Sequence, residues 1–194
     1  MVVFALTRLP GVLPLNFSAA YALAFCAGVY LPGRMAWWLP LGVLLATDVG
    51  LNLFYYDVAA VSGRMLVNYV AFAGIIGLGH WFRGRKSWLA LLSGGLLGAL
   101  LFYFITNTAS WLSDPGYSKT LAGWIQALTT GLPGYPPTVA FFRNTLLSGG
   151  LFTGLFAASM KLSTAESAVE KKAPEAEEES AEPASEPEPQ EVKA

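Results

Sequence analysis

The chain has 194 residues, 54% of them hydrophobic and 13% charged, with a mean hydropathy of +0.49. That profile excludes an ordinary soluble domain and points to one polytopic membrane domain. The net charge of −1 hides a segregation: residues 163–194 carry ten Glu and three Lys, a net of −7, whereas 1–162 carry nine Lys or Arg against Asp48, Asp57 and Asp114, a net of +6.

Cys26 is the single cysteine, so neither an intrachain disulfide nor a cysteine metal cluster is expected, and it reads as a small packing hydrophobe. No basic n-region followed by an apolar core and a cleavage site is present.

In chain order, residues 1–15 are apolar but broken by Arg8, Pro10 and Pro14. A crossing helix needs about 20 residues, so this stretch reads as an interfacial arm or the end of a truncated helix. Five segments that could cross follow within the helical domain 16–162, at roughly 17–32, 36–55, 65–82, 87–106 and 138–160. Ala20, Ala24 and Gly28 recur every four residues in the first, a smooth face for a neighbouring helix; Gly94, Gly95 and Gly98 suggest the same in the fourth. Pro40 is expected in the first turns of the second segment, where its missing donor costs little.

The fourth segment ends in LFYFITNTASW, residues 101–111. Aromatics give way to Thr106, Asn107 and Thr108, with Trp111 a turn later, which is how a membrane helix emerges into a small polar vestibule. An ordinary helix exit with a Trp anchor would read much the same. Residues 119–132 differ: Leu121, Trp124, Ile125, Leu128 and Leu132 fall on one helical face, opposite Thr120, Gln126, Thr129 and Thr130. This is expected as a short surface or re-entrant helix, closed by LPGYPP. The Glu-, Pro- and Ala-rich segment 163–194 has too little apolar surface to fold alone and reads as a disordered acidic tail.

Orientation follows the basic residues of short loops. With five crossings, Arg34, Arg83, Arg85, Lys86, Lys161, Lys171 and Lys172 share one side, and Arg8, Arg64 and Lys119 the other. The first side is then cytoplasmic and carries the tail, in a bacterial inner membrane. In that arrangement Asn16, Asp48, Asn52, Asn68, Asn107, Arg143 and Asn144 all fall toward the outer leaflet. An intramembrane charge costs roughly 2.5–3.5 kcal/mol on insertion scales, so Asp48 and Arg143, of opposite sign at similar depth, are expected to pair. His80 has no second ligand at metal spacing and reads as an interfacial residue beside Trp81. No catalytic triad order and no phosphate-binding glycine motif is present, so neither an enzyme nor a cofactor is expected.

The residues Asn16-Phe17-Ser18, the run 24–30, Pro40 with Asp48, the run 102–107 with Trp111, Tyr117 with Thr120, and Phe141-Phe142-Arg143-Asn144-Thr145-Leu146 occur together in this order. Over 16–160 the chain thereby resembles a bacterial family of uncharacterised proteins taken to be transport proteins. That family is similar to the substrate-binding S components of energy-coupling-factor vitamin transporters. The resemblance implies a six-helix membrane subunit with cytoplasmic termini, an outward-facing pocket, and separate transmembrane coupling and ATPase subunits as partners.

The expectation is therefore an all-α membrane bundle of five to six helices that binds a vitamin-like small molecule among lipids, without nucleic acid, metal or catalysis. Asn16, Asp48, Asn52, Asn107, Trp111, Arg143 and Asn144 are the expected ligand-binding residues, with 119–132 as lid. The alternative is a membrane scaffold of an envelope complex, in which the polar residues only set helix register.

Overall fold

The structure is a computed structural model that describes residues 1–85 and 87–179, with Arg64 and 164–179 described by backbone alone. Seven helices and no strands occur among the described residues: α1 Val2–Leu6, α2 Ala20–Tyr30, α3 Met35–Phe54, α4 Gly63–Trp81, α5 Trp88–Ser113, α6 Leu121–Leu128 and α7 Thr138–Glu179. Two compact units are distinguished, Met1–Ala157 and Ala158–Ala194. The packing contacts and the cleft described below lie in the first. In the second, the backbone of α7 stays helical to Glu179, past the boundary expected at 162, through a stretch rich in the strong helix formers Ala, Glu and Lys. The tail beyond it, 180–194, lies outside the described residues, as does Lys86 of the basic loop.

Among the described residues, three stretches are long and apolar enough to cross a membrane: α3 with 20 residues, α5 with 26, and Thr138–Ser163 of α7 with 26. Two expected crossings are shorter. Met65–Trp81 of α4 and the 11 residues of α2 are apolar helices below that length. At the α-helical rise α2 covers only about 16 Å. It begins at Ala20 rather than 17 because Ser18 and Ala19 are engaged in a turn: Ala19 N donates to Thr7 Oγ1 at 3.0 Å and Ala20 N to Ser18 Oγ at 3.1 Å.

What α2 lacks in length it makes up in burial. Ala20, Tyr21, Ala22, Ala24, Phe25, Cys26, Ala27 and Gly28 are all buried, so it is apolar all round and serves as the central post for α3, α4 and α5. At its far end the backbone of α4 comes into direct contact: a Cβ on Gly28 would lie 2.9 Å from Gly79 Cα. The expected small-residue face is therefore a true crossing point. The glycines of α5 likewise receive neighbours, Gly94 the rings of Phe25 and Phe82, Gly95 Thr153, and Gly98 Ile75. Arg83 closes the end of α2, its Nε donating to Gly28 O at 2.8 Å and a terminal nitrogen to Leu31 O, which answers otherwise orphaned carbonyls.

The N-terminal arm is more than interfacial. Phe4 is fully buried, its ring 6.0 Å from that of Phe72, so α1 contributes to the core that Phe25, Leu44, Phe72, Ile75 and Ile76 build. Pro40 is buried and sits sixth in α3, past the donors that need no partner, so one helix bond, to the Ala36 carbonyl, is missing there. His80 packs differently from expectation: its ring lies 5.4 Å from Trp37 and its Nδ1 is 3.0 Å from Ile76 O, while Trp81 is exposed beneath the Arg85 guanidinium.

The amphipathic segment folds as α6, capped by the Thr120 hydroxyl accepting from Gly123 N at 3.2 Å. Gly123 and Ala127 are buried and Trp124 and Leu128 half-buried, while Leu121 and Ile125 of the apolar stripe are exposed. A Cβ at Gly123 would collide with the Ser118 carbonyl, so only a residue without one fits where the chain enters α6.

Candidate functional site

The vestibule expected after α5 exists as a cleft of about 740 Å³. Thr106, Asn107, Ala109, Ser110 and Ser113 of α5 form one wall. Their spacing is that of one helical face. Val67 and Asn68 at the start of α4 meet them, and Asp114, Pro115, Tyr117, Leu132, Tyr135, Thr138 and Phe141 complete the lining. A second groove of about 570 Å³, between the N-terminal arm and the end of α3, is lined by Leu6, Leu9, Val12, Leu51 and Phe54 among others. It is mostly apolar, with Thr47 and Tyr55 its only hydroxyl-bearing lining residues and no charged or amide side chain among the described residues. The first cleft combines amides, hydroxyls, a carboxylate and aromatic faces, the composition that fixes a small molecule in place.

Several bonds hold the cleft's rim. Trp111 Nε1 donates to Ser118 O at 2.9 Å, and Lys119 Nζ donates to Trp111 O and, at 2.7 Å, to Asp114 O. The 111–119 loop is thus stapled to the end of α5. Trp124 Nε1 reaches Thr108 Oγ1 at 3.0 Å, its ring meets Phe104 edge to face at 5.4 Å, and Tyr103 OH donates to Leu128 O. These fasten α6 beside the cleft. Gly131 has φ +73°, and a Cβ there would lie 2.8 Å from Thr138 Oγ1, so glycine is needed where the chain turns back into α7. Gln126 Nε2 donates to Gly131 O at 3.0 Å and Val139 N to Thr129 O at 2.9 Å, closing that turn. Burial and the nearby Asp114 carboxylate raise the Tyr117 phenol above its ordinary value, so it remains a neutral aromatic wall.

The expected ligand-binding residues do not all meet. Asn107 lines the cleft, and Asn68, singled out for its depth, joins it. Trp111 stands behind the rim with its indole engaged by Ser118. Asn144 Nδ2 donates to Leu15 O at 2.9 Å and so ties the N-terminal arm to α7. Asn16 is exposed in a left-handed turn at φ 60°. Asn52 Nδ2 donates to Ala60 O at 3.1 Å and braces the 55–62 loop.

Asp48 and Arg143 are not partners. Asp48, buried in α3, is paired with Arg8 of the N-terminal arm, while Arg143 is exposed and meets no described acid. Depth alone suggested the expected pair; the arm, read as lying at the interface, instead carries Arg8 inward behind Phe4. Thr7 assists this by accepting from Ala19 N and lying 3.2 Å from the Ser18 hydroxyl.

Sequence reasoning missed Ser110, Ser113, Asp114, Tyr117 and Tyr135 of the cleft. The signal was present for the serines, since Thr106, Ser110 and Ser113 continue the Asn107 face at helical spacing once α5 is allowed to run to Ser113. No such signal brings the 131–138 turn to the same place.

The model of a family of unknown function (DUF6580) matches residues 1–174, and the chain belongs to that family. No curated protein and no solved structure matches it.

Proposed function

We propose that this chain, as a member of that family, is a small-molecule-binding subunit of a membrane uptake system, without catalytic chemistry of its own. The observation that carries the reading is the polar cleft at the end of α5, among helices that are otherwise apolar. Its position supports an outward-facing site. α5 begins beside Arg83 and Arg85, which the charge rule assigns to the cytoplasm, and 26 residues later it ends at the cleft. In this reading α2 and α4 cross together with α3, α5 and α7, giving five spans. The exposed Leu121 and Ile125 of α6 then meet lipid. Nothing in the described chain would power transport, so a coupling protein and an ATPase, as in the vitamin transporters the sequence resembles, are the proposed partners.

The scaffold alternative needs small-residue faces free for another protein. Gly28, Gly94, Gly95 and Gly98 are covered by the chain's own backbone and side chains, whereas Gly42 and Gly50 of α3 have nothing within 4 Å.

Thermal unfolding of the purified protein against a library of vitamins and other small polar metabolites tests the proposal. At least one compound should raise the midpoint. The shift should vanish in Ser110→Leu, which puts a bulky apolar side chain on the α5 wall, and persist in Asp57→Asn, a residue outside the cleft lining. A shift that survives Ser110→Leu, or a library without any hit, argues against the reading.

A further inference from the structure

The cleft is electrically one-sided. Each polar side chain of its α5 wall spends hydrogen on its own helix: Thr106 Oγ1 donates to Phe102 O at 2.9 Å, Asn107 Nδ2 to Tyr103 O at 2.8 Å, Ser110 Oγ to Thr106 O at 3.0 Å, and Ser113 Oγ to Ala109 O at 2.8 Å. A hydroxyl whose proton is committed in this way turns lone pairs to its surroundings. The helix also ends here, at Ser113, so the negative end of its dipole points at the same space.

Asp114 follows directly. Its Oδ1 accepts from Gly116 N at 2.8 Å, and its Oδ2 has no partner among the described residues. Among the described residues it is the one charged side chain lining the cleft. The neighbouring cation, Lys119, does not line the cleft; its ammonium is directed to the carbonyls of Trp111 and Asp114 at the rim. The rings of Tyr117, Tyr135 and Phe141 add faces that attract a cation and do nothing for an anion. Asn68 and the tyrosine hydroxyls offer donors for neutral polar groups but no positive charge.

We infer that the cleft takes a small organic cation, an ammonium or N-alkylated heteroaromatic ring bearing polar substituents, and rejects anions. The cationic centre sits between the Asp114 carboxylate and the aromatic side chains, and its polar substituents face Asn68 and Asn107. This rests on the proposed role of the cleft as a small-molecule site. It narrows that role, because a carboxylate-bearing vitamin would meet a like charge in Asp114 and no cation among the described residues of the lining to offset it.

Probes of one shape and three charges test it: 1-methylnicotinamide as the cation, nicotinamide as the neutral form and nicotinate as the anion. Choline and its uncharged carbon isostere 3,3-dimethylbutan-1-ol form a second set. Binding to the full-length protein in detergent is measured by calorimetry at matched sodium chloride. At least one of the two cations should bind about tenfold or more tighter than its neutral counterpart, and nicotinate should not bind. Asp114→Asn, which keeps an oxygen for Gly116 N, should erase that preference while leaving neutral binding in place.

Nicotinate binding as tightly as the cation, or a preference unchanged in Asp114→Asn, overturns the inference. So does full displacement of the organic cations by sodium chloride alone, which marks a site for inorganic cations. Neutral or anionic binding as tight as that of the cation, and lost in Ser110→Leu, overturns the charge assignment and leaves the small-molecule role standing. Absence of binding by every probe overturns the charge assignment, and the role of the cleft then stands or falls on the metabolite library.

Discussion

Replacing Arg8 by Gln strands the Asp48 carboxylate inside the protein. The side chains of the pair are 17% and 8% exposed, so both charges are largely withdrawn from water. Breaking a buried pair from one side costs about 3–5 kcal/mol. The remaining exposure of Arg8 places the expected loss near the lower end, about 3 kcal/mol, or roughly a hundredfold in the folding equilibrium. Removing both partners is a different matter. Arg8 Nε, Asp48 Oδ2 and Tyr69 OH are buried without partners, so the pair does not recover its full desolvation cost. The double replacement Arg8→Met with Asp48→Leu should therefore come back to within about 1 kcal/mol of the parent, since buried pairs exchanged for apolar groups are often neutral. Denaturant titration of the purified protein in a mild detergent, run as a double-mutant cycle, gives the coupling. Arg143→Gln serves as the internal comparison and should lie within about 0.5 kcal/mol of the parent, as an exposed substitution does. Strictly additive losses for Arg8 and Asp48, or a loss at Arg143 equal to that at Arg8, would refute the assignment.

Gly28→Ala should cost about 1–3 kcal/mol, because its Cβ meets the α4 backbone, which cannot step aside. Gly42→Ala, with nothing within 4 Å, should be neutral or slightly stabilising, and paired thermal melts compare the two. Trp124→Phe keeps the ring against Phe104 but loses the bond to Thr108. It should destabilise by about 1 kcal/mol and raise hydrogen exchange across α6 selectively. In a Cys26→Ala background, cysteines at Ser113 and Arg85 should react with an impermeant reagent from opposite sides of the membrane, Ser113 from outside. The reverse labelling would discard the outward-facing cleft.

The sequence by itself determined the helices and their apolar character, because hydrophobic runs of membrane length and the residues that break them are local properties. It also marked the polar end of α5, through Thr106, Asn107 and the aromatics before them. Small residues at Gly28 and Gly94–Gly98 announced close approach, and the structure gives each of those contacts a partner. What it could not determine was which distant groups meet. Asp48 has its charge partner forty residues away in an arm whose apolar pattern reads as too short to cross, and depth along separate helices suggested Arg143 instead. Nor could the sequence determine which part of the α6 stripe packs: Trp124 meets Phe104 and Thr108 of α5, while Leu121 and Ile125 are exposed. Tertiary structure alone brought the 131–138 turn over the end of α5, where Asp114 follows in the chain. Charge at a site depends on which side chains share a volume, and a chain pattern does not carry that information.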